Sequence, residues 1–218
     1  MLDSAFLITA FVTLFVIIDP IGLTPIFAAL TQGQTARRRR EIALRACVIA
    51  FGILAVFTVF GEQVLGFIGI SMPAFRIAGG MLLFLTALDM LFERRTKRRE
   101  DQSEAAEAEH DSHPEDEADP SVFPMAIPLI AGPGAIATVI LLAGQNPGWA
   151  GLGLTLAVTL VVVAAVFVLA LTAGLLERLL GRTGINVVTR LLGMLLAALS
   201  VQFVLDGLKA FGFAAGAG

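Results

Sequence analysis

The sequence predicts an all-α membrane protein in which six transmembrane helices form two inverted three-helix repeats. Of the 218 residues, 57% are hydrophobic and only 15% are charged, whereas a soluble domain carries about 25% charged residues. Several apolar runs also reach the roughly 20 residues that a helix needs to cross a bilayer. A third observation, one pattern of helix-breaking residues that recurs in both halves of the chain, indicates the repeat.

Hydropathy predicts six spans, which cover residues 4–30, 42–62, 71–92, 121–143, 150–174 and 185–212. The links after the first, third and fifth spans contain basic residues, whereas the intervening links, Gly61–Ile70 and Gln145–Trp149, contain no lysine or arginine. Basic loops are retained in the cytoplasm. We therefore expect the basic links to be cytoplasmic and both termini to be periplasmic.

A polar segment at residues 96–120 separates two halves, 1–95 and 121–218, that contain three spans each. The segment is acidic and has too few apolar residues to form a core, so we expect a solvated cytoplasmic linker. It holds both histidines of the chain, His110 and His113, and the single cysteine, Cys47, lies in an apolar span. We expect no metal site in the membrane, and the composition of the linker favours a hinge over weak metal binding.

The two halves carry matching motifs at a constant spacing. Pro133 follows Pro20 by 113 positions, and the Gly-Met-Leu-Leu motif that begins at Gly193 follows the same motif at Gly80 by 113 positions. Because each half has an odd number of spans, the halves are expected to lie in opposite orientations. Inverted repeats with helices interrupted in corresponding places are typical of secondary transporters, whose substrate sites lie near the bilayer midplane.

The helix-breaking motifs are residues 19–25 (DPIGLTP) in the first span and residues 128–134 (PLIAGPG) in the fourth. Proline is favoured at the first position of a helix, and aspartate is a good N-cap. We therefore predict that one half-helix begins at Pro20 with Asp19 as its cap, and another at Pro133 after Gly132. Irregular backbone at membrane depth is tolerated only where protein or a polar cavity surrounds it, so we expect the two breaks to meet in a substrate site.

The chemistry of these breaks indicates a zwitterionic solute. The free N–H groups and positive dipole ends of two half-helices would bind a carboxylate, and the Asp19 carboxylate would accept an ammonium group or exchange a proton. The alternative for Asp19 is a purely structural role as a cap. The predicted substrate-binding residues are Asp19, Pro20, Gly22, Thr24, Gly132, Pro133, Gly134, Arg76 and Arg190.

Within this set, the glycines would allow a small solute to approach the backbone closely. Thr24 either lines the site or satisfies a carbonyl freed by the break, and the second role is favoured. Arg76 and Arg190 lie near the starts of the third and sixth spans. They would contact a solute carboxylate, form part of a gate, or extend to the membrane interface.

The sequence contains no pattern typical of an enzyme. It has no P-loop, and an intramembrane serine protease would need a histidine base within the bilayer, where this chain has none. The arginine clusters directly flank membrane spans, so they indicate orientation and contact with anionic lipids rather than nucleic-acid binding. We expect no catalytic activity, no cofactor and no nucleic-acid partner.

Residues 19–27 (DPIGLTPIF) and 128–136 (PLIAGPGAI) resemble the paired motifs of the MarC family, and the likeness extends over the six spans and the polar linker. This resemblance implies an inner-membrane protein of bacteria or archaea that is related to the LysE group of amino-acid exporters. Some members are described as transporters of small neutral amino acids. The acidic linker is longer here than is expected for the family.

The resulting prediction is a secondary transporter of small neutral amino acids, coupled to a proton or sodium gradient and working by alternating access. Three alternatives remain at this point: a channel for small solutes, a LysE-type exporter of amino acids or metabolites, and a non-transporting scaffold or lipid-binding protein. The scaffold would have two breaks that pack tightly without a polar cavity.

Overall fold

The computed structural model describes residues 4–94, 99 and 119–212, and every regular element within them is helical. The predicted linker at residues 96–120, with His110 and His113, lies outside the described residues except for Arg99, Asp119 and Pro120. The elements are α1 (Ser4–Ile18), α2 (Pro20–Leu30), α3 (Ala36–Ile68), α4 (Met72–Leu91), α5 (Ser121–Ile130), α6 (Pro133–Gln145), α7 (Trp149–Leu171) and α8 (Ala173–Ala210).

Five segments of the described chain are long and apolar enough to cross a membrane: Phe6–Leu30, Ala36–Ile68, Met72–Leu91, Trp149–Leu171 and Thr183–Ala210. The pair α5 and α6 is bent by 54° and makes a sixth segment if the pair crosses as one broken span. The predicted all-α class and set of apolar segments are confirmed. The first span, formed by α1 and α2, is central: 61% of its most apolar stretch of 18 residues is buried, compared with 28% for the corresponding stretch of α4.

Helix α3 is longer at both ends than the predicted span at residues 42–62. Thr35 caps its start by accepting a hydrogen bond from the Arg38 N–H (3.3 Å), so the arginine cluster forms the first turns of the helix. At the other end, Gly69 adopts the left-handed conformation (φ 84°) that commonly ends a helix. Hydropathy reports the apolar part of a helix, whereas capping determines where the helix begins and ends.

Helix α5 is irregular already before the predicted break at residues 128–134. Phe123 and Ile127 have extended backbone angles, and each precedes a proline, which disfavours the helical conformation of the residue before it. The Ala131 N–H donates to the Ala126 carbonyl (2.9 Å), a hydrogen bond one residue longer than that of an α-helix. Two prolines four residues apart therefore convert the approach to the second break into an irregular segment.

Helix α8 contains a break at Gly181, whose φ of 61° and ψ of 174° are not helical. The break separates a short helix that follows α7 from the last membrane segment, which begins at Thr183. Glycine has no Cβ and adopts positive φ readily, so this position permits the change of direction. The break explains why the predicted sixth span begins well after the start of α8.

The most extensive helix pair is α4 with α8, and the two run antiparallel. Near the start of α4, a Cβ built on Gly207 would lie 2.6 Å from the Ile77 side chain. Just beyond the end of α4, Glu93 pairs with Arg190 at 2.7 Å. Between these ends, a Cβ on Gly80 would lie 2.8 Å from the Ser200 carbonyl oxygen, and one on Gly193 would lie 2.9 Å from the Met90 Cβ. Glycine thus allows the two backbones to approach closely.

An ion pair joins α3 to the chain just before α5. The Arg45 Nη1 lies 2.6 Å from the Asp119 Oδ2, and the Ser121 N–H donates to the Asp119 Oδ1 at 3.0 Å. Partial burial of the Asp119 carboxylate tends to raise its pKa. The hydrogen bonds from Ser121 and the charges of Arg45 and Arg38 outweigh this effect and hold the pKa of Asp119 below its ordinary value of 3.8.

We predict that Gly80→Ala lowers the free energy of unfolding by about 1–3 kcal/mol, because the new methyl group must separate two backbones in a packed interface. Gly52→Ala in α3 is the matched control, since a Cβ there meets no atom within 4 Å. We expect the control to be neutral or stabilising by up to about 1 kcal/mol. Unfolding of both variants in mixed micelles with increasing SDS measures the difference, and equal stability of the two would contradict the packing role of Gly80.

We predict that Asp119 contributes stability that depends on pH. A lowered folded-state pKa stabilises the protein at pH values above the unfolded-state pKa, and this contribution disappears as the pH falls through the folded-state pKa. Asp119→Asn should therefore reduce the loss of melting temperature between about pH 5 and pH 3. The effect at pH 7 should be small, about 1 kcal/mol or less, because the Arg45 side chain is 61% exposed. Parallel pH profiles for the two proteins would count against this contribution.

Candidate functional site

The first helix break lies at Asp19, which adopts the left-handed conformation (φ 56°, ψ 64°). Aspartate tolerates this conformation better than most residues because its side chain bonds to nearby backbone. The Gly22 N–H donates to the Asp19 Oδ1 at 3.1 Å, and Pro20 occupies the first turn of α2. The predicted cap and helix start are both confirmed.

Gly22 is required by this cap. A Cβ at this position would overlap the Asp19 carboxylate, so a larger residue would push the carboxylate off the start of α2. Because the Gly22 N–H bonds to the side chain, it does not bond to the Ile18 carbonyl, as it would in a continuous helix. The break therefore exposes a carbonyl that needs another donor.

That donor is Arg99, a residue of the predicted linker. Its Nη2 donates to the Ile18 carbonyl at 3.1 Å, and its Nη1 lies 3.3 Å from the Asp19 Oδ2. The Arg99 side chain is 7% exposed and the Asp19 side chain 1% exposed. The guanidinium group thus satisfies both polar groups created by the break, the buried charge and the freed carbonyl.

The second break lies between α5 and α6. Gly132 is extended (φ −82°, ψ 171°) and precedes Pro133 at the start of α6, as predicted. A Cβ on Gly132 would lie 2.5 Å from the Pro128 carbonyl oxygen, so the chain turns here at a distance that only glycine allows. Within the part of the chain that the structure describes, no side chain caps this helix start, in contrast to the first break.

The two breaks contact each other through Gly134 and Ile17. A Cβ on Gly134 would lie 2.8 Å from the Ile17 Cδ1, so the first turn of α6 packs against the last turn of α1. A cavity of about 180 Å³, which we call the cavity between the breaks, lies beside this contact. Its walls come from the second break, from α1 and α4, and from the linker: Pro128, Leu129, Ile130, Gly132, Pro133, Gly134, Ala135, Ile17, Leu82, Thr86 and Arg99.

The predicted residues of the two breaks differ in their access to this cavity. Gly132, Pro133 and Gly134 line it, whereas Pro20, Gly22 and Thr24 are buried and are not among its lining residues. The first break reaches the cavity through Arg99, which contacts both the cavity and Asp19. The cavity is therefore bordered by the N-terminus of α6 and by Arg99.

The hydroxyl groups near the breaks bond to their own helices. Thr24 Oγ1 donates to the Ile21 carbonyl at 2.7 Å, and Thr138 Oγ1 donates to the Gly134 carbonyl at 2.8 Å. These bonds correspond to the structural role favoured for Thr24.

The structure does not bring Arg76 and Arg190 to the cavity. Arg190 pairs with Glu93 at 2.7 Å, and both side chains are nearly half exposed. Arg76 lies in the first part of α4, and its Nε is buried and has no hydrogen-bond partner among the described residues. Neither residue lines the cavity between the breaks.

Sequence reasoning missed Arg99. The residue was grouped with Arg94, Arg95, Lys97 and Arg98 as a signal of orientation, and nothing in its local sequence distinguishes it from them. The available signal lay elsewhere: a buried Asp19 requires a cation or a strong donor, and the basic link after the third span supplies several.

As for metals, no cluster of three or more His, Cys, Asp and Glu side chains occurs within residues 4–94, 99 and 119–212.

Comparison with known proteins places the chain among membrane proteins. The UPF0056 membrane protein YvbG of Bacillus subtilis is 39% identical over 210 residues, which cover 94% of this chain and 95% of the relative. A UPF0056 membrane protein of Aquifex aeolicus is 40% identical and covers 93% of this chain and 92% of its own length. The UPF0056 inner membrane protein YhgN of Escherichia coli is 36% identical and covers 93% and 96%, respectively.

No solved structure matches this chain. A family model described as "MarC family integral membrane protein" matches residues 4–211, nearly the whole sequence. Together with the relatives and the apolar helices, this match confirms the resemblance seen in the motifs: the chain belongs to the MarC family of integral membrane proteins.

Proposed function

We propose that this protein is a secondary transporter of small neutral amino acids in the bacterial inner membrane. The observation that carries the proposal is the Asp19 carboxylate, buried in the break of the central span and linked through Arg99 to a cavity at the N-terminus of a second broken helix. A charge at membrane depth is costly and typically marks a solute or ion pathway. The name of the Escherichia coli relative, an inner membrane protein, supports the location.

The two breaks offer complementary charges to a zwitterion. The first turn of α6 presents free N–H groups and a positive dipole end, which suit a carboxylate, and Asp19 suits an ammonium group. Small solutes are favoured because the cavity of about 180 Å³ lies well below the roughly 300–1,000 Å³ of pockets for drug-sized ligands. Proline and glycine form much of the wall, so the wall offers few side chains to hold a long side chain of the solute.

Contacts between α4 and α8 support two inverted repeats. At the spacing of 113 residues, Gly80 corresponds to Gly193 and Ala87 corresponds to Ser200. The site of the Gly80 Cβ lies against the Ser200 carbonyl oxygen (2.8 Å), and that of the Gly193 Cβ lies near the Ala87 carbonyl oxygen (3.3 Å). Such a reciprocal pattern is characteristic of a two-fold interface, and the antiparallel course of the helices agrees with an axis in the membrane plane.

In this proposal, one repeat moves against the other so that the site between the breaks opens to each side of the membrane in turn. A proton or sodium gradient drives the cycle, with Asp19 as the group that couples ion and solute. The basic loops are cytoplasmic and both termini periplasmic, as the distribution of arginine and lysine predicts. Membrane lipids are the surrounding medium and no cofactor takes part.

We predict that Asp19→Asn reduces gradient-driven uptake of alanine into proteoliposomes at least about tenfold, the effect of losing roughly 1.4 kcal/mol of binding or coupling energy. Asparagine is as good an N-cap as aspartate, so the variant removes the charge while the bond from Gly22 is kept. Uptake equal to that of the wild type would reduce Asp19 to a capping residue.

The matched control is Asp206→Asn. Asp206 is an acid near the end of α8 that accepts a hydrogen bond from Gln202 at 2.8 Å, in an exposed position, and it does not line the cavity between the breaks. This variant should transport as the wild type does. Counterflow then separates a carrier from a pore: a carrier preloaded with unlabelled alanine accelerates entry of labelled alanine, and a channel shows neither this acceleration nor saturation.

A further inference from the structure

We infer that Arg99 is a specificity-determining residue of the proposed site, a tethered cation that competes with the amino group of the solute for Asp19. The inference rests on the proposed function, in which Asp19 binds that amino group. It assigns to a linker residue the control of apparent affinity, and it defines the ligand of the first break as an alkylammonium or guanidinium group.

The geometry supports competition. The Asp19 Oδ1 accepts the Gly22 N–H at 3.1 Å, and the Arg99 Nη1 approaches the Oδ2 at 3.3 Å. Arg99 also lines the cavity. A solute ammonium group that enters from the cavity and approaches the Oδ2 meets Arg99 first, so the two cations exclude one another.

The position of Arg99 also suits displacement. Among the described residues, its contacts at the break are an ion pair with Asp19 and a hydrogen bond to the Ile18 carbonyl (3.1 Å), both of which a primary ammonium group with three donors can replace. An ammonium group that replaces Arg99 keeps the buried Asp19 paired throughout the exchange. A solute without an amino group offers no such replacement, so it does not compete with Arg99 for Asp19.

The expected size of the effect follows from occupancy. When only a fraction of the molecules is in the binding-competent form, the apparent affinity equals the intrinsic affinity multiplied by that fraction. If Arg99 occupies Asp19 in about 90% of molecules or more, its removal should lower the half-saturating alanine concentration by about tenfold or more.

The experiment is thermal unfolding of the purified full-length protein in detergent, titrated with alanine, with ethylammonium as an amine probe and with propionate as a carboxylate probe. Arg99→Ala should be less stable than the wild type without additives. It should be stabilised by alanine and ethylammonium at concentrations about tenfold lower than the wild type requires. Propionate should change the melting temperatures of Arg99→Ala and the wild type by the same amount. Ethylammonium should not stabilise the double variant Asp19→Asn, Arg99→Ala.

Arg94→Ala is the matched control, since it removes one positive charge from the same basic cluster. Arg94 lies over the Phe92 ring at 5.8 Å and does not line the cavity between the breaks. Alanine and ethylammonium should stabilise this variant at the same concentrations as the wild type. If Arg99→Ala does not fold, Arg99→Lys keeps a cation but gives up the planar guanidinium fork. Its half-saturating alanine concentration should fall by a smaller factor, about threefold, and no change in this variant would overturn the inference.

Weaker alanine binding by Arg99→Ala would also overturn the inference, because Arg99 would then be a partner of the solute rather than its competitor. Equal binding by Arg99→Ala and the wild type would overturn it as well, because the two cations would then not compete. Failure of the transport proposal looks different. Ethylammonium would still rescue Arg99→Ala while neither the wild type nor Asp19→Asn takes up alanine. Conversely, uptake that depends on Asp19, together with unchanged titrations of Arg99→Ala, would remove this inference alone.

Discussion

The structure around the first break depends on one constraint: a carboxylate buried at membrane depth must keep partners. Taking an ion out of water costs several kcal/mol even after relaxation, and the Asp19 side chain is 1% exposed. The Gly22 N–H and the Arg99 guanidinium group offset that cost. Each partner imposes a further requirement. Residue 22 must lack a Cβ, and Arg99 must leave the basic link and enter the helical bundle.

The same constraint explains why the break and the ion pair occur together. Pro20 has no N–H and the Gly22 N–H is directed to a side chain, so the last turn of α1 loses donors that a continuous helix would supply. In a bilayer, an unsatisfied carbonyl costs several kcal/mol. Arg99 answers both needs, because one nitrogen of its planar fork reaches the carboxylate and the other reaches the Ile18 carbonyl. A lysine, with a single nitrogen, would match this pair of acceptors less well.

Much of the architecture was predictable because it follows from local chemistry. The apolar segments give the helices, and the pairs Asp19-Pro20 and Gly132-Pro133 give the starts of α2 and α6 to the residue. Local rules also account in hindsight for α5, where each extended residue precedes a proline. Hydropathy averages over the prolines and does not register their effect on the preceding residue, so the sequence predicts the break at residues 128–134 but not the irregular backbone before it.

The position of Arg99 was not predictable from local chemistry. Hydropathy and charge assign it to a solvated loop with four other basic residues, and only the three-dimensional position of Asp19 singles out one of them. Arg76 and Arg190 illustrate the converse. Their places in the sequence pattern of the third and sixth spans drew attention to them as site residues, yet Arg190 pairs with Glu93 and neither lines the cavity. Which of several like charges pairs with a given partner depends on residues that are far apart in the sequence.

The two breaks finally differ at the one position that sets their chemistry. At the spacing of 113 residues, Asp19 corresponds to Gly132, and both precede a proline that opens a half-helix. In the first half the side chain caps the helix and brings a negative charge. In the second half there is no side chain, and the helix start borders the cavity uncapped. A symmetric pair of aspartates would repel a carboxylate, and a symmetric pair of glycines would offer an ammonium group no charge. In the proposed transporter, one of each suits a molecule that carries both charges a few ångströms apart, so the asymmetry supports an amino acid over a simple anion or amine as the proposed substrate.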